Sequence, residues 1–301
     1  MNRRTVRWPL LAGVPAAVLI VRKRRGLGLP RALSNVLAAS VPAATALAIP
    51  RSRPRNALLW AAQMWAYKVA FEIPYDRPAY LHARLRVDPP LEFDKAIAGG
   101  LPPTQRLQRA LRQKGRVNGL DRALTALYAT WEAEPHVALA LVLVKRPERF
   151  AAAALRQAAT FDLTLLGYWL VPTAPPWWAS EKEGRMGGEV QRVPTRVGRD
   201  LRGKRIEQDE VEGSNPWASM PSDHFASALA AALTLRELGP AAGAAGLAYA
   251  LLLGFALVYL GEHYVADLAA GAALALGVAA AEPLIAPAAR RADALIRRFE
   301  P

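Results

Sequence analysis

The chain has 301 residues, a length that one or two soluble domains would fill. Its composition argues against that default: 52% of the residues are hydrophobic, and they gather in long blocks between Arg-rich connectors. Cysteine is absent, which excludes disulfides, thiolate metal sites and Cys nucleophiles. The net charge of +14 does not carry the marks of a nucleic-acid module, neither zinc-ligand spacing nor aromatic residues interleaved with basic ones. The basic residues sit at the ends of apolar blocks instead, where they would meet anionic lipid headgroups. The expected partner is therefore a bilayer and not nucleic acid; oligomeric state is left open.

Read in chain order between breakers, the apolar blocks predict these helices. Trp8–Val21 is short and follows a basic start, like a signal peptide, but Arg22-Lys23-Arg24-Arg25 is a poor cleavage site, so a retained first segment is expected. Arg31–Ile49 and Asn56–Ile73 follow, separated by the turn Arg51–Arg55. A polar connector over 76–120 then holds a basic helix, with Leu107 and Leu111 on one face, expected to lie on the membrane surface. Asp121–Val144 and Ala151–Val171 flank the turn Lys145–Arg149. A second polar connector over 173–219 is expected to form a lid. Pro221–Leu238, Ala241–Leu260 and Tyr264–Ile285 complete the set; Ala241–Leu260 runs 20 residues without a charge, about 30 Å of helix.

The fold class expected is all-α: an integral membrane bundle of six core transmembrane helices plus one or two N-terminal hydrophobic segments. Three regions follow, with N-terminal hydrophobic and basic segments over 1–55, a membrane domain over 56–287 and a basic tail over 288–301. Alternating the six spans puts Arg51–Arg55, Lys145–Arg149, Arg236 and Arg290–Arg298 on one face. The positive-inside rule makes that face cytoplasmic, in the plasma membrane, and turns the long connectors outward. The Arg22–Arg25 cluster fits that scheme badly if the first segment spans.

Only four histidines exist: His82, His136, His224 and His263. In His263-Tyr264-Val265-Ala266-Asp267 a carboxylate follows an imidazole by four residues, which on a helix sets both on one face. Asp267 can then hold one ring N–H and leave the other nitrogen as an oriented lone pair, able to attack phosphorus. Met220-Pro221-Ser222-Asp223-His224 opens another helix at the same face, where free N–H groups make an anion site and His224 could act as general acid. His136 stands near Glu132 and Glu134 in an apolar helix, a costly cluster that either binds an alcohol acceptor or makes a structural hydrogen bond. His82 reads as a solvated loop residue, and Trp177 and Trp178 as interfacial anchors.

Pro221-Ser222-Asp223-His224, then 31 residues, then Ala256 to His263 and Asp267, resembles the type-2 phosphatidic acid phosphatase superfamily, which carries Pro-Ser-Gly-His and then Ser-Arg-x5-His-x3-Asp. Val171–Trp177 and Asn215–Met220 resemble its inositol-phosphorylceramide synthase branch, an inositolphosphotransferase. The resemblance implies a phosphohistidine intermediate without a metal or cofactor, with His263 as nucleophile, Asp267 orienting it and His224 as acid and base. The family's first motif, Lys-x6-Arg-Pro, is matched loosely by Lys68 and Arg77-Pro78, with eight residues between them; of the two, Arg77 is the better phosphate ligand, and Lys68 has Glu72 as an alternative partner. Ser222 and Asp223 complete the expected substrate contacts.

Two departures stand out. Ala256-Leu257 replaces Ser-Arg, so a phosphate-binding cation is missing and Arg77, Arg192 or Arg196 would have to substitute. Asp223 replaces Gly, which is repulsive toward phosphate unless it points away or binds a polyol. The expected activity is transfer or hydrolysis of a phosphoryl-type group on a lipid phosphoester, leaning toward a headgroup transferase with a polyol or lipid alcohol as acceptor. A lipid phosphate phosphatase is the alternative, and a transporter or scaffold without catalysis is a rival from another class.

Overall fold

The computed structural model describes residues 3–113, 115–202 and 215–297, with side chains from residue 12 onward. Residues 203–214 of the second connector and 298–301 of the tail, on which part of the lid and tail expectations fall, lie outside them. The described chain is helical, its only β-type pairing being two isolated bridges, Arg86 with Thr173 and Thr173 with Ala218. The helices in chain order are α1 (Arg3–Arg22), α2 (Arg31–Ala48), α3 (Arg53–Glu72), α4 (Pro78–His82), α5 (Asp88–Ile97), α6 (Pro103–Leu111) and α7 (Gly119–Thr130). They continue with α8 (Glu134–Lys145), α9 (Phe150–Leu170), α10 (Pro176–Glu181), α11 (Val193–Arg202), α12 (Asp223–Leu235), α13 (Pro240–Tyr259) and α14 (Val265–Arg297).

Helix α12 is the hub, packed against α8, α9, α13 and α14. Its buried face is a run of alanines, Ala226, Ala228, Ala230, Ala231 and Ala232, and small side chains let helix axes approach closely. At the crossing with α13, a Cβ on Gly246 would stand 2.8 Å from the Ala232 Cα, so only glycine fits there. Helices α1, α2 and α3 pack in sequence beside this core, and α3 leans on α9. Buried Arg156 on α9 reaches Glu282 on α14 at 2.8 Å and Glu237 at 3.3 Å, an ion triad that fixes three segments at one end of the bundle. At the end of α1, Arg24 and Arg25 meet Asp76 at 2.9 and 2.5 Å. Two of the four cations of Arg22–Arg25 are thus paired within the chain, which lessens the weight of that cluster in the positive-inside argument.

Among the described helices α13 and α14 are long and apolar enough to cross a membrane, with mean hydropathies of 2.0 and 1.8; Ala12–Arg22 is a shorter apolar stretch. The expectation of six core spans is thus met by length and composition at two helices only. The reason is local: α8 and α12 have 12 and 13 residues, about 18–20 Å of helix, while α3 and α9 carry charged side chains. The outer surface is nonetheless apolar, with Val144, Leu166, Leu170, Leu251, Leu252 and Leu284 each at least half exposed. Apolar faces of that extent on a folded chain are contact surfaces for lipid or protein.

Three sequence expectations change in three dimensions. The helix expected over Asp121–Val144 is broken at Trp131–Ala133, because Pro135 has no N–H to donate and its ring collides with the preceding turn. The basic helix α6 rests on one of its two leucines only: Leu107 packs against the core cluster of Tyr259 and Leu260, Leu111 is exposed, and Gln105 and Gln108 are buried. Gln108 donates to the Tyr259 and Gln191 carbonyls at 2.8 and 3.0 Å, which docks α6 on the second connector and the end of α13. The described parts of the connectors make such contacts with the bundle, and α11 packs along α7.

Candidate active site

The turn from α13 to α14 is sharp because Gly261 adopts φ +79°, and a Cβ there would stand 2.8 Å from the Gln191 carbonyl. His263 lies in this turn, ahead of the helix, and Asp267 in the first turn of α14. The pair is therefore joined across a helix start and not along a helix face as the spacing suggested. Asp267 Oδ2 accepts the Tyr264 N–H at 2.9 Å and the Ser219 hydroxyl at 2.6 Å, and lies 3.3 Å from His263 Nδ1. A carboxylate only accepts, so Nδ1 of His263 carries the ring proton and Nε2 holds a lone pair. The partner 3.1 Å from that Nε2 is Nδ1 of His224, which is the donor across this contact.

His224 is placed by the start of α12. Ser222 caps the helix, its hydroxyl accepting the Phe225 N–H at 3.3 Å, while its own N–H donates to the Asp267 carbonyl at 2.9 Å. The two motifs are thereby tied backbone to backbone, and Ser222 is used up in the tie. The His224 ring lies against Trp131 at 4.1 Å and Tyr128 at 5.1 Å, so the break between α7 and α8 supplies its walls. Trp131 is itself fixed by donating to Ser227 on α12 at 2.7 Å.

Asp94 on α5 steadies the other wall. Its two carboxylate oxygens accept the first free N–H groups of α14, Val265 and Ala266, each at 3.0 Å. Burial pushes its carboxyl up to about 6, against the pull of those two N–H groups, and nearby Asp267 raises it further.

One cavity of about 380 Å³ opens on the two histidines and is lined also by Lys68, Tyr67, Glu132, His136, Asp223 and Arg192. Arg192 forms a two-point pair with Glu262, at 2.8 and 3.3 Å, and its guanidinium lies 4.7 Å over the Trp177 ring. Burial opposes the charge on Arg192, but Glu262 outweighs it and holds the guanidinium above its ordinary value. Lys68 is 3.9 Å from Glu72 and still borders the cavity. Arg77, the better ligand by sequence, is exposed and outside the cavity, and Arg196 lines a different cavity altogether. Trp177 is buried, at 6% exposure, and lines the cavity as a wall; Trp178 is partly buried, packed edge-on against the Trp177 and Trp217 rings, and does not line it.

Asp223 is turned toward α3 and α9: it accepts hydrogen bonds from the Tyr67 hydroxyl and, at 3.3 Å, from Thr164. Two hydroxyls pointed at the carboxylate hold it where Gly stands in the family pattern. His136 accepts the Trp60 indole N–H at Nδ1, 3.1 Å away, which leaves its Nε2–H for the cavity. His82, packed on the Trp217 ring, is half exposed and does not line it. Leu257, where the family pattern has Arg, is fully buried with Ala228, Ala250 and Leu253.

Sequence reading alone did not single out Ser219, Glu262 or Asp94. Ser219 and Glu262 adjoin the motifs, but their roles depend on which side chains the fold brings opposite them. Asp94 acts across 171 residues of sequence, and nothing near it marks the helix start that it caps. Among the described residues no group of three or more His, Asp or Glu is arranged to hold a metal ion.

No curated protein and no solved structure matches the chain. The sequence profile of the PAP2 superfamily does match, over residues 97–281, a stretch that takes in both histidines of the cavity and Asp267 but neither Lys68 nor Arg77. With more than half its length matched, its two apolar helices and this paired-histidine site, the chain belongs to the PAP2 superfamily, membrane-associated enzymes of the phosphatase and phosphotransferase class acting on lipid-like substrates.

Proposed function

We propose that this protein moves a phosphoryl-type group of a lipid phosphoester through a phosphohistidine on His263, and that the group passes to an alcohol acceptor. The observation that carries the reading is the Asp267–His263–His224 relay, 3.3 and 3.1 Å between successive partners. Nε2 of His263 attacks phosphorus while the bond to the leaving oxygen breaks, and His224, present as the imidazolium, gives its Nδ1 proton to that oxygen and is left neutral. In the second half His224 takes the proton of the incoming hydroxyl, its oxygen attacks phosphorus, and the N–P bond breaks. Arg192 supplies the positive charge that Leu257 cannot, with Lys68 as a second cation, and both border the cavity.

An acceptor alcohol, in preference to water, is supported by Glu132 and by the free Nε2–H of His136 on the wall of the same cavity. A polyol of the inositol type suits such a polar wall. The reading includes a bundle of six core helices in the plasma membrane, with the cavity on the extracytoplasmic side and lipid entering laterally. Its support is the apolar outer face of α8, α9 and α13 and the basic turns at the opposite ends of those helices.

Purified protein in detergent, given labelled lipid phosphates with and without inositol, tests the proposal. Transfer of label to inositol is expected, together with an acid-labile phosphoenzyme absent from His263→Ala. Turnover that survives His263→Ala would sink the nucleophile assignment, and release of free phosphate unaffected by any alcohol would replace transferase by phosphatase.

A further inference from the structure

Arg196 was a candidate for the missing cation, yet its side chain faces elsewhere. A second cavity of about 500 Å³ lies between α11 and the segment after α6, lined by Arg112, Arg116, Arg196, Arg199, Gln113 and Asp200 among others. It shares no lining residue with the catalytic cavity. Arg196 and Arg199 are three apart on α11 and so fall on one face. Four guanidiniums thus meet in one pocket, and the carboxylates near them are committed. Asp200 is taken by Arg122 at 2.7 Å. Asp121 accepts the Tyr259 hydroxyl at 2.6 Å and caps α7; Arg112 reaches it at 3.4 Å and donates to the Gln191 side-chain carbonyl at 2.6 Å.

The other three arginines have no side-chain partner among the described residues, and the Arg199 Nε is buried without a hydrogen bond. Burial, then the neighbouring Arg112 and Arg199 charges, pull Arg196 below its ordinary value against the opposing pull of Glu181 and Asp121. Crowded like charges with idle donors cost stability, and an anion that accepts from several forks at once removes the cost. We propose that Arg112, Arg116, Arg196 and Arg199 form a second anion site, distinct from the catalytic cavity, that takes a phosphate-bearing group. The group is either free phosphate or the headgroup phosphate of an anionic lipid, which share this chemistry.

The full-length chain in detergent, dialysed against radiolabelled inorganic phosphate, gives the first arm. The second arm is native mass spectrometry of phosphatidic acid retained from nanodiscs of phosphatidylcholine with and without that lipid. In one arm or the other, binding is expected to persist in Arg192→Gln and to weaken about a hundredfold in Arg196→Gln/Arg199→Gln, about tenfold per arginine. The exposed pair Arg290→Gln/Arg291→Gln is the control for net charge and should bind as wild type does. The Arg196→Gln/Arg199→Gln variant should melt no lower than wild type, since repulsion is relieved. If it fails to fold, Arg199→Lys serves instead, keeping the charge but losing the fork, with binding several-fold weaker. Phosphate binding assigns the free anion, and retention of phosphatidic acid alone assigns the lipid. Binding in neither arm, or equal binding in Arg196→Gln/Arg199→Gln, overturns the site. So does binding that appears only when Glu207, Asp209, Glu210 and Glu212 are all changed to Gln, for then the chain's own acids neutralise the pocket.

Discussion

Arg192 has two jobs that one substitution cannot separate: it is the counter-ion of Glu262 and a cation on the wall of the cavity that holds His224 and His263. Glu262 is 7% exposed and the Arg192 side chain 25%. Removing the arginine alone therefore strands a nearly buried carboxylate, at a cost of about 3 kcal/mol, the low end for such pairs because Arg192 keeps some solvent. In a chain of this size Arg192→Gln should lower Tm by about 6–9 °C. Loss of a preorganised cation at the developing phosphoryl charge should lower kcat/KM about 10²–10³-fold. The double variant Arg192→Gln/Glu262→Gln separates the two. With no stranded charge its Tm should return to within about 2 °C of wild type, while kcat/KM stays about 10²–10³-fold down. The measurements are differential scanning fluorimetry in detergent and phosphoryl transfer from a labelled lipid phosphate. A double variant that recovers both stability and activity would refute the reasoning, since Arg192 would then matter only as the partner of Glu262.

Three other expectations follow from particular contacts. Ser219→Ala removes the 2.6 Å hydrogen bond to Asp267 Oδ2, and a bond to a charged acceptor is worth about 1.5–3 kcal/mol. Rapid-quench measurement of phosphoenzyme formation should show a rate about 10–100-fold lower with KM unchanged, and a rate within twofold of wild type would exclude a positioning role. Asp94 titrates at about 6 in the folded chain against an ordinary 3.8, so the native state holds its proton the more tightly. That contribution to stability is full below about pH 4 and is lost as pH rises through about 6; Asp94→Asn, with no proton to lose, should show a flatter Tm over pH 4–7, and parallel profiles would count against it. Leu257→Arg restores the family residue but buries its charge among Ala228, Ala250 and Leu253, at about 3 kcal/mol. A lower Tm without any gain in kcat/KM is expected, and higher activity would mean that the side chain can reach the cavity.

The sequence by itself determined the helical class and most of the helix breaks, and it singled out the three residues proposed for catalysis. Apolar blocks bounded by Pro, Gly and Arg leave the backbone no other way to satisfy its hydrogen bonds in an apolar setting. His224, His263 and Asp267 were legible because each sits in a dense local motif whose spacing is itself chemical. What only the tertiary structure decided is everything that depends on which elements pack together. Lys68 and Arg192 border the cavity, while Arg77 and Arg196 do not, because helix facing and connector path are not encoded near those residues. The glutamine face of α6 and the cap from Asp94 belong to the same class. Each joins groups far apart in sequence, and a buried polar group chooses its partner by packing rather than by neighbourhood in the chain. So the proposed nucleophile could be read from residues 263–267, but the charge that would stabilise its reaction is found only where the second connector folds back over the end of α13.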